Sequence, residues 1–123
     1  MAQLTLTTVT LDAPEPRALA EFYCRLLGYE IGTAESNWVT IGPPGSDGTR
    51  LAFKTESRYA RPTWPAADGA QQMMIHLEIR VDDLDAAVAH AVAAGATVAD
   101  FQPQDDVRVC LDPAGHPFCL WVP

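Results

Sequence analysis

The chain has 123 residues with a formal net charge of -8 and a pI near 4.6. That length suits one compact domain able to bury roughly two-thirds of its unfolded surface. The negative charge repels phosphate, which excludes nucleic acid and anionic membrane surfaces as partners and favours a cationic small molecule. Three cysteines stand at scattered positions (Cys24, Cys110, Cys119) with no zinc-type spacing. With no basic and apolar leader at the start and no apolar run long enough to cross a bilayer, the expected setting is a reducing cytoplasm with free thiols.

The segment LTLTTVTLD is rich in Thr, Val and Leu and reads as a strand from Leu4, with a change of phase at Thr7-Thr8. Val9 and Leu11 then face one way, and Thr8 and Thr10 the other. APEPRALAEFYCRLLG reads as a helix with prolines in its first turn. Its apolar stripe is Leu19, Phe22, Tyr23, Leu26 and Leu27, and Gly28 ends it. NWVTIGPPG and TRLAFKT follow as strand, turn and strand. The polar, Pro-rich stretch ESRYARPTWPAADGAQQ reads as a linker, and Trp64 within it either covers a cavity mouth or docks on the surface.

The second half repeats the pattern. MMIHLEIRV reads as a strand, DDLDAAVAHAVAAG as a helix capped by Asp82 or Asp83 and ended by Gly95, and VRVCLDPAG with HPFCLWV as strand, turn and strand. Aligning VTIGPPG with VCLDPAG matches Val39 and Ile41 to Val109 and Leu111. The expected organisation is two modules, about residues 1–55 and 73–123, joined by a linker at about 56–72. Each buries one sheet face under its helix and offers the other to a shared pocket. Strand parity assigns Thr8, Thr10, His76, Glu78, Cys119 and Trp121 to that pocket, and the repeat adds Trp38, Thr40, Arg108 and Cys110.

HLEIRVDDLDAAVAHAVAAGATV followed by LDPAGHPFCLW resembles the vicinal oxygen chelate superfamily, the glyoxalase, bleomycin resistance and dioxygenase group. VTLDAPEPRALAEFYCRLLGYE fits the same group's first module. The resemblance implies an α+β fold of two tandem βαβββ modules whose curved mixed sheets enclose a pocket. It also implies a homodimer. Metal enzymes of the group take one ligand from the first and one from the last strand of each module, positions that map here to Thr8, Ala52, His76 and Cys119. Only His76 keeps a usual ligand type, so no cofactor is expected, although a divalent metal is not excluded.

The expected function is binding of a small organic ligand without the usual metal, as in antibiotic sequestration. The alternative is an isomerase, lyase or dioxygenase-type enzyme using His76 with Glu78. Glu78 is expected to pair with Arg108. Trp38 and Trp121 can stack on a flat or cationic ligand. Cys110 and Cys119 are read as small hydrophobes rather than nucleophiles, His90 as solvated, and His116 as bonding the backbone of its turn.

Overall fold

The structure is a computed structural model that describes residues 2–123. The chain forms two compact units, with the division between Tyr59 and Ala60.

The first unit contains β1 (Thr8–Ala13), α1 (Pro16–Leu27), β2 (Glu30–Glu35), β3 (Trp38–Gly42) and β4 (Arg50–Thr55). Its sheet has the order β1-β4-β3-β2, with β1 parallel to β4 and the other pairs antiparallel. α1 begins with Pro16 at its first turn, where no backbone N–H is needed. It ends at Gly28, left-handed at φ 73°, whose N–H reaches the Cys24 carbonyl at 2.9 Å. Leu19, Phe22 and Tyr23 are buried as expected, while Leu26 and Leu27 remain partly exposed at the helix end. Tyr23 stacks on Phe53 of β4 at 5.6 Å, and Phe22 meets Tyr23 edge-on at 4.8 Å. Leu11, Val39, Ile41, Leu51 and Phe53 occupy this helix-covered face.

The second unit contains β5 (Leu77–Arg80), α2 (Leu84–Ala94), β6 (Thr97–Val98), β7 (Val107–Leu111) and β8 (Pro117–Trp121). Its strand order, β5-β8-β7-β6, repeats that of the first, again with the outer pair β5/β8 parallel. The expected α+β architecture of repeated βαβββ modules is present. Asp83 caps α2, accepting the Ala86 N–H at 3.1 Å, and Gly95 closes it. Phe118, Leu120 and Cys110 are buried on the face that α2 covers.

Two expectations are corrected. β1 starts at Thr8 rather than Leu4: Leu4 and Leu6 precede the strand and are 92% and 72% exposed. β5 starts at Leu77 rather than Met73, because Met74 adopts φ 60° and interrupts the extended chain. Within the stretch read as a linker, residues 60–72 belong to the second compact unit and make hydrogen bonds there. Thr63 N–H bonds the Gln71 carbonyl at 2.8 Å, Arg61 reaches the Pro113 carbonyl at 3.3 Å, and the Trp64 indole N–H reaches the Phe101 carbonyl at 3.1 Å.

The exposure pattern orders the mutational costs. Phe53→Ala, which removes the stacking partner of Tyr23, is expected to cost about 3–5 kcal/mol, against under about 0.5 kcal/mol for Leu4→Ala. Urea unfolding of both variants checks this, and a Leu4→Ala cost equal to that of Phe53→Ala would place the N-terminal segment in the core.

Candidate functional site

The open face of the second sheet is built by register. β5 lies parallel to β8 with Glu78 beside Cys119 and Arg80 beside Trp121. β7 runs antiparallel to β8 with Val109 opposite Cys119 and Val107 opposite Trp121. Cross-strand partners point to the same side of a sheet, so Glu78, Arg80, Val107, Val109, Cys119 and Trp121 share one face. His76 stands just before β5 and reaches the same place. Its Nδ1 lies 2.7 Å from Glu78 Oε2 and 3.8 Å from Cys119 Sγ.

The three side chains differ in solvent access. His76 and Glu78 are 39% and 50% exposed, while Cys119 is buried. Cys119 packs with Ala99 and Val109, and Trp64 leans on that apolar group from the folded 60–72 segment. Burial pushes the Cys119 thiol up to about 12, with Glu78 adding to the shift by accepting its hydrogen bond and by its charge. Burial alone raises Cys110 to about 11. Cys24 is also raised, by burial first and then by Glu21. All three are free thiols. A neutral, buried thiol fits the sequence reading of Cys110 and Cys119 as small hydrophobes rather than activated nucleophiles.

The turn that launches β8 is held by a buried carboxylate. Asp112 is 1% exposed, and its Oδ1 accepts the backbone N–H groups of Ala114 and His116, both at 2.9 Å. His116 Nδ1 closes on Asp112 Oδ2 at 2.8 Å, so the histidine side chain bonds the carboxylate that holds its own turn. Gly115, at φ 96°, completes the turn. A Cβ there would fall 2.4 Å from Arg61 Cγ, so the close approach of Arg61 also requires glycine.

Several expected residues lie elsewhere. Arg108 and Cys110 stand opposite Leu120 and Phe118, on the face away from Cys119. The sequence repeat had aligned Val39 with Val109, but Val39 faces the helix side of its sheet and Val109 the open side. A one-residue slip in that alignment reverses every side chain on the strand. Glu78 therefore does not pair with Arg108. Arg108 Nη1 instead donates to the carbonyls of Val107 at 2.8 Å, Asp105 at 2.9 Å and Gln104 at 3.4 Å. His90 is exposed on α2, as expected.

In the first unit, Thr8, Thr10, Trp38, Thr40 and Ala52 share the open face of their sheet. Thr40 Oγ1 accepts the Thr33 N–H at 2.9 Å, and Thr8 donates to Thr7 Oγ1 at 3.3 Å. Ala52 is fully buried and has no donor atom. Of the four positions that the resemblance marks for metal ligands, those of the first unit therefore offer one neutral hydroxyl and no second donor. That set does not fit the group's usual divalent site. Sequence reasoning placed Glu78 beside His76 but did not pair it with Cys119, and it left Trp64 between a cavity cover and a surface aromatic; Trp64 in fact packs against the apolar wall. Glu78 was legible by its two-residue spacing from His76, whereas the position of Trp64 depends on how a non-periodic loop folds.

The fold and this arrangement agree with what the chain resembles. A family model described as a glyoxalase-like domain matches residues 8–121, and the chain belongs to that family. Its wider group is the vicinal oxygen chelate superfamily. No curated protein matches the chain. Among solved structures, it is similar to a glyoxalase/bleomycin resistance protein/dioxygenase family enzyme from Burkholderia phytofirmans PsJN, at 17% identity, covering 97% of this chain and 98% of that one with a TM-score of 0.72. It is also similar to a possible glyoxalase from Bacillus cereus, at 14% identity, coverage of 97% and 99%, and a TM-score of 0.69. A third is an antibiotic binding protein from Streptomyces sp. CB03234, at 18% identity, coverage of 100% and 98%, and a TM-score of 0.61. At these identities the likeness is one of fold.

Two measurements follow from the geometry. Asp112→Ala leaves buried N–H groups of Ala114 and His116 without their acceptor and is expected to cost about 2 kcal/mol or more, read as a fall in urea midpoint. An unchanged midpoint would mean that the carboxylate does not hold the turn. The raised thiols set an alkaline limit. Their folded-state protons are held more tightly than the unfolded ones, so their contribution is intact below about pH 8.5 and is lost as pH rises through 11 to 12. Thermal melting from pH 8 upward should fall less steeply in Cys119→Ala than in the parent. Parallel slopes would mean that Cys119 does not contribute.

Proposed function

We propose that this protein binds a small organic ligand at the open face of its second sheet, without the four-position divalent site of the group's metal enzymes. The observation that carries this reading is the half-exposed His76–Glu78 pair at 2.7 Å, beside an apolar wall of Cys119, Val109 and Trp64. A carboxylate and an imidazole at the edge of apolar and aromatic surface suit a ligand with a polar or cationic head on a flat body. The net charge of -8 draws such cations toward the protein. Sequestration of a cationic, antibiotic-like compound is the form of binding that this chemistry favours, and the Streptomyces fold relative is an antibiotic binding protein. The protein would act in the cytoplasm, as a homodimer.

A second reading draws on the same pair. Glu78 can orient His76 as a general base that takes a proton next to a carbonyl, giving an isomerase or lyase activity. It would need turnover that disappears in His76→Ala.

Calorimetry with a panel of cationic, neutral and anionic aromatic antibiotics, in the presence of chelator, tests the binding reading. A cationic member is expected to bind, and Glu78→Gln is expected to weaken it about tenfold through loss of one charge-assisted hydrogen bond. No binding across the panel, or equal affinity in Glu78→Gln, would remove the proposal. Sedimentation equilibrium tests the dimer, and a monomer at all concentrations would count against it.

A further inference from the structure

Arg50 opens β4 on the sheet face away from α1, beside Thr8 of β1. Its backbone N–H bonds the Thr7 carbonyl at 2.8 Å. Its guanidinium brings five further donors in a planar fork. Among the described residues no carboxylate forms an ion pair with that fork, and no acceptor takes a hydrogen bond from it. Arg108, the other partly buried arginine, donates to three carbonyls. We infer that Arg50 is the anchor of a binding site for the carboxylate of a small, apolar-bodied organic acid. The inference lies within the first unit and does not depend on the ligand proposed above.

Two glycines place the fork. A Cβ on Gly42 of β3 would fall 2.5 Å from Arg50 Nη1 and 3.1 Å from its Cγ and Cζ. A Cβ on Gly32 of β2 would fall 2.9 Å from Thr40 Oγ1 and 3.6 Å from Arg50 Nη1. Because neither position carries a side chain, the arginine arm lies across β3 toward β2. Its head then borders a cavity of about 310 Å³ at the end of the β2–β3 hairpin, lined among others by Glu30, Pro43, Pro44, Ser46 and Asp47. Gly45, at φ 66°, turns the chain around that cavity.

The lining determines the ligand. A guanidinium fork matches the two oxygens of a carboxylate or phosphoryl group, and such paired bonds are stronger and more directional than a single charge contact. Glu30 and Asp47 bring negative charge to the same cavity. They repel a dianion about twice as strongly as a monoanion, which selects the carboxylate over phosphate. Pro43 and Pro44 present ring carbons and no backbone N–H, so they suit the apolar body behind the carboxylate. The volume stands at the lower end of small-molecule sites and fits a single ring rather than an extended ligand.

The test titrates the isotope-labelled full chain with sodium benzoate at constant ionic strength and follows it by NMR. The Arg50 Nε–H and the Gly45 and Ser46 amide signals are expected to shift saturably, with a dissociation constant of about 1 mM or tighter. Arg50→Gln should abolish the shifts. Arg50→Lys keeps the charge without the fork and should weaken binding at least about fivefold. Gly42→Ala, which displaces the guanidinium, should weaken it as well, while Arg58→Gln at an exposed position should leave it unchanged. The amide spectrum of each variant reports whether it is folded. No saturable shift up to roughly 20 mM benzoate would overturn the assignment. So would an affinity indifferent to Arg50→Gln, or to both Arg50→Lys and Gly42→Ala. Inorganic phosphate binding the same signals more tightly than benzoate would overturn the choice of a carboxylate. The cationic-ligand proposal is read separately, by calorimetry on Glu78→Gln.

Discussion

The parallel pairing of β5 with β8 is the constraint on which the second unit's chemistry depends. It sets Glu78 beside Cys119 and brings His76, one residue before the strand, over both. A slip of one residue would carry Cys119 to the helix-covered face and leave His76 and Glu78 without it. That register is fixed from the other side of β8 by the turn at Asp112. The buried carboxylate gathers the N–H groups of Ala114 and His116 and the His116 ring, so the chain must leave the turn in one direction. A burial cost that would be severe for an unpaired carboxylate is offset here by three hydrogen bonds. The same turn admits Arg61 only because residue 115 is glycine.

The parts of the fold legible in the sequence were those with a strong local cause. Pro16 and Gly28 bound α1, Asp83 and Gly95 bound α2, and each feature is a backbone requirement met by one residue type. The internal repeat was also legible, since two segments of similar pattern produced sheets of the same strand order. Strand starts were less so. Leu4 and Leu6 alternate with threonine like a strand, yet β1 begins only at Thr8, where the parallel pairing with Arg50 of β4 starts. Met74 interrupts β5 through a positive φ that no residue type there announces.

The candidate site was half legible for a similar reason. His76, Glu78, Cys119 and Trp121 followed from period-two parity within their own strands, and the cross-strand register keeps three of them on one face with His76 in contact. Arg108 and Cys110 were carried onto the wrong face by a comparison between modules. Parity is a local property of one strand, and it transfers between repeats only when no residue is gained or lost in the intervening turn. Trp64 was legible as an aromatic in a polar stretch, but its docking beside Cys119 rests on long-range contacts that have no periodic signature.

The two units show how one topology separates scaffold from chemistry. Both cover one face of a four-stranded sheet with a helix. In the first, the open face carries threonine, tryptophan and a buried alanine, and one hydroxyl is already taken by the backbone of β2. In the second, the corresponding strands carry an imidazole, a carboxylate and a thiol within one cluster. The helix-side residues cannot vary this way, since each fills space against a neighbouring ring or methyl group and a polar atom there would be buried without a partner. The half-exposed side chains on the opposite face of the second sheet, His76 and Glu78, carry less of that packing penalty than the buried Cys119 and Val109 beside them. In the binding reading proposed here, specificity rests on the few side chains around Glu78 and Cys119, and the likeness of fold to enzymes and to an antibiotic binding protein leaves that choice open.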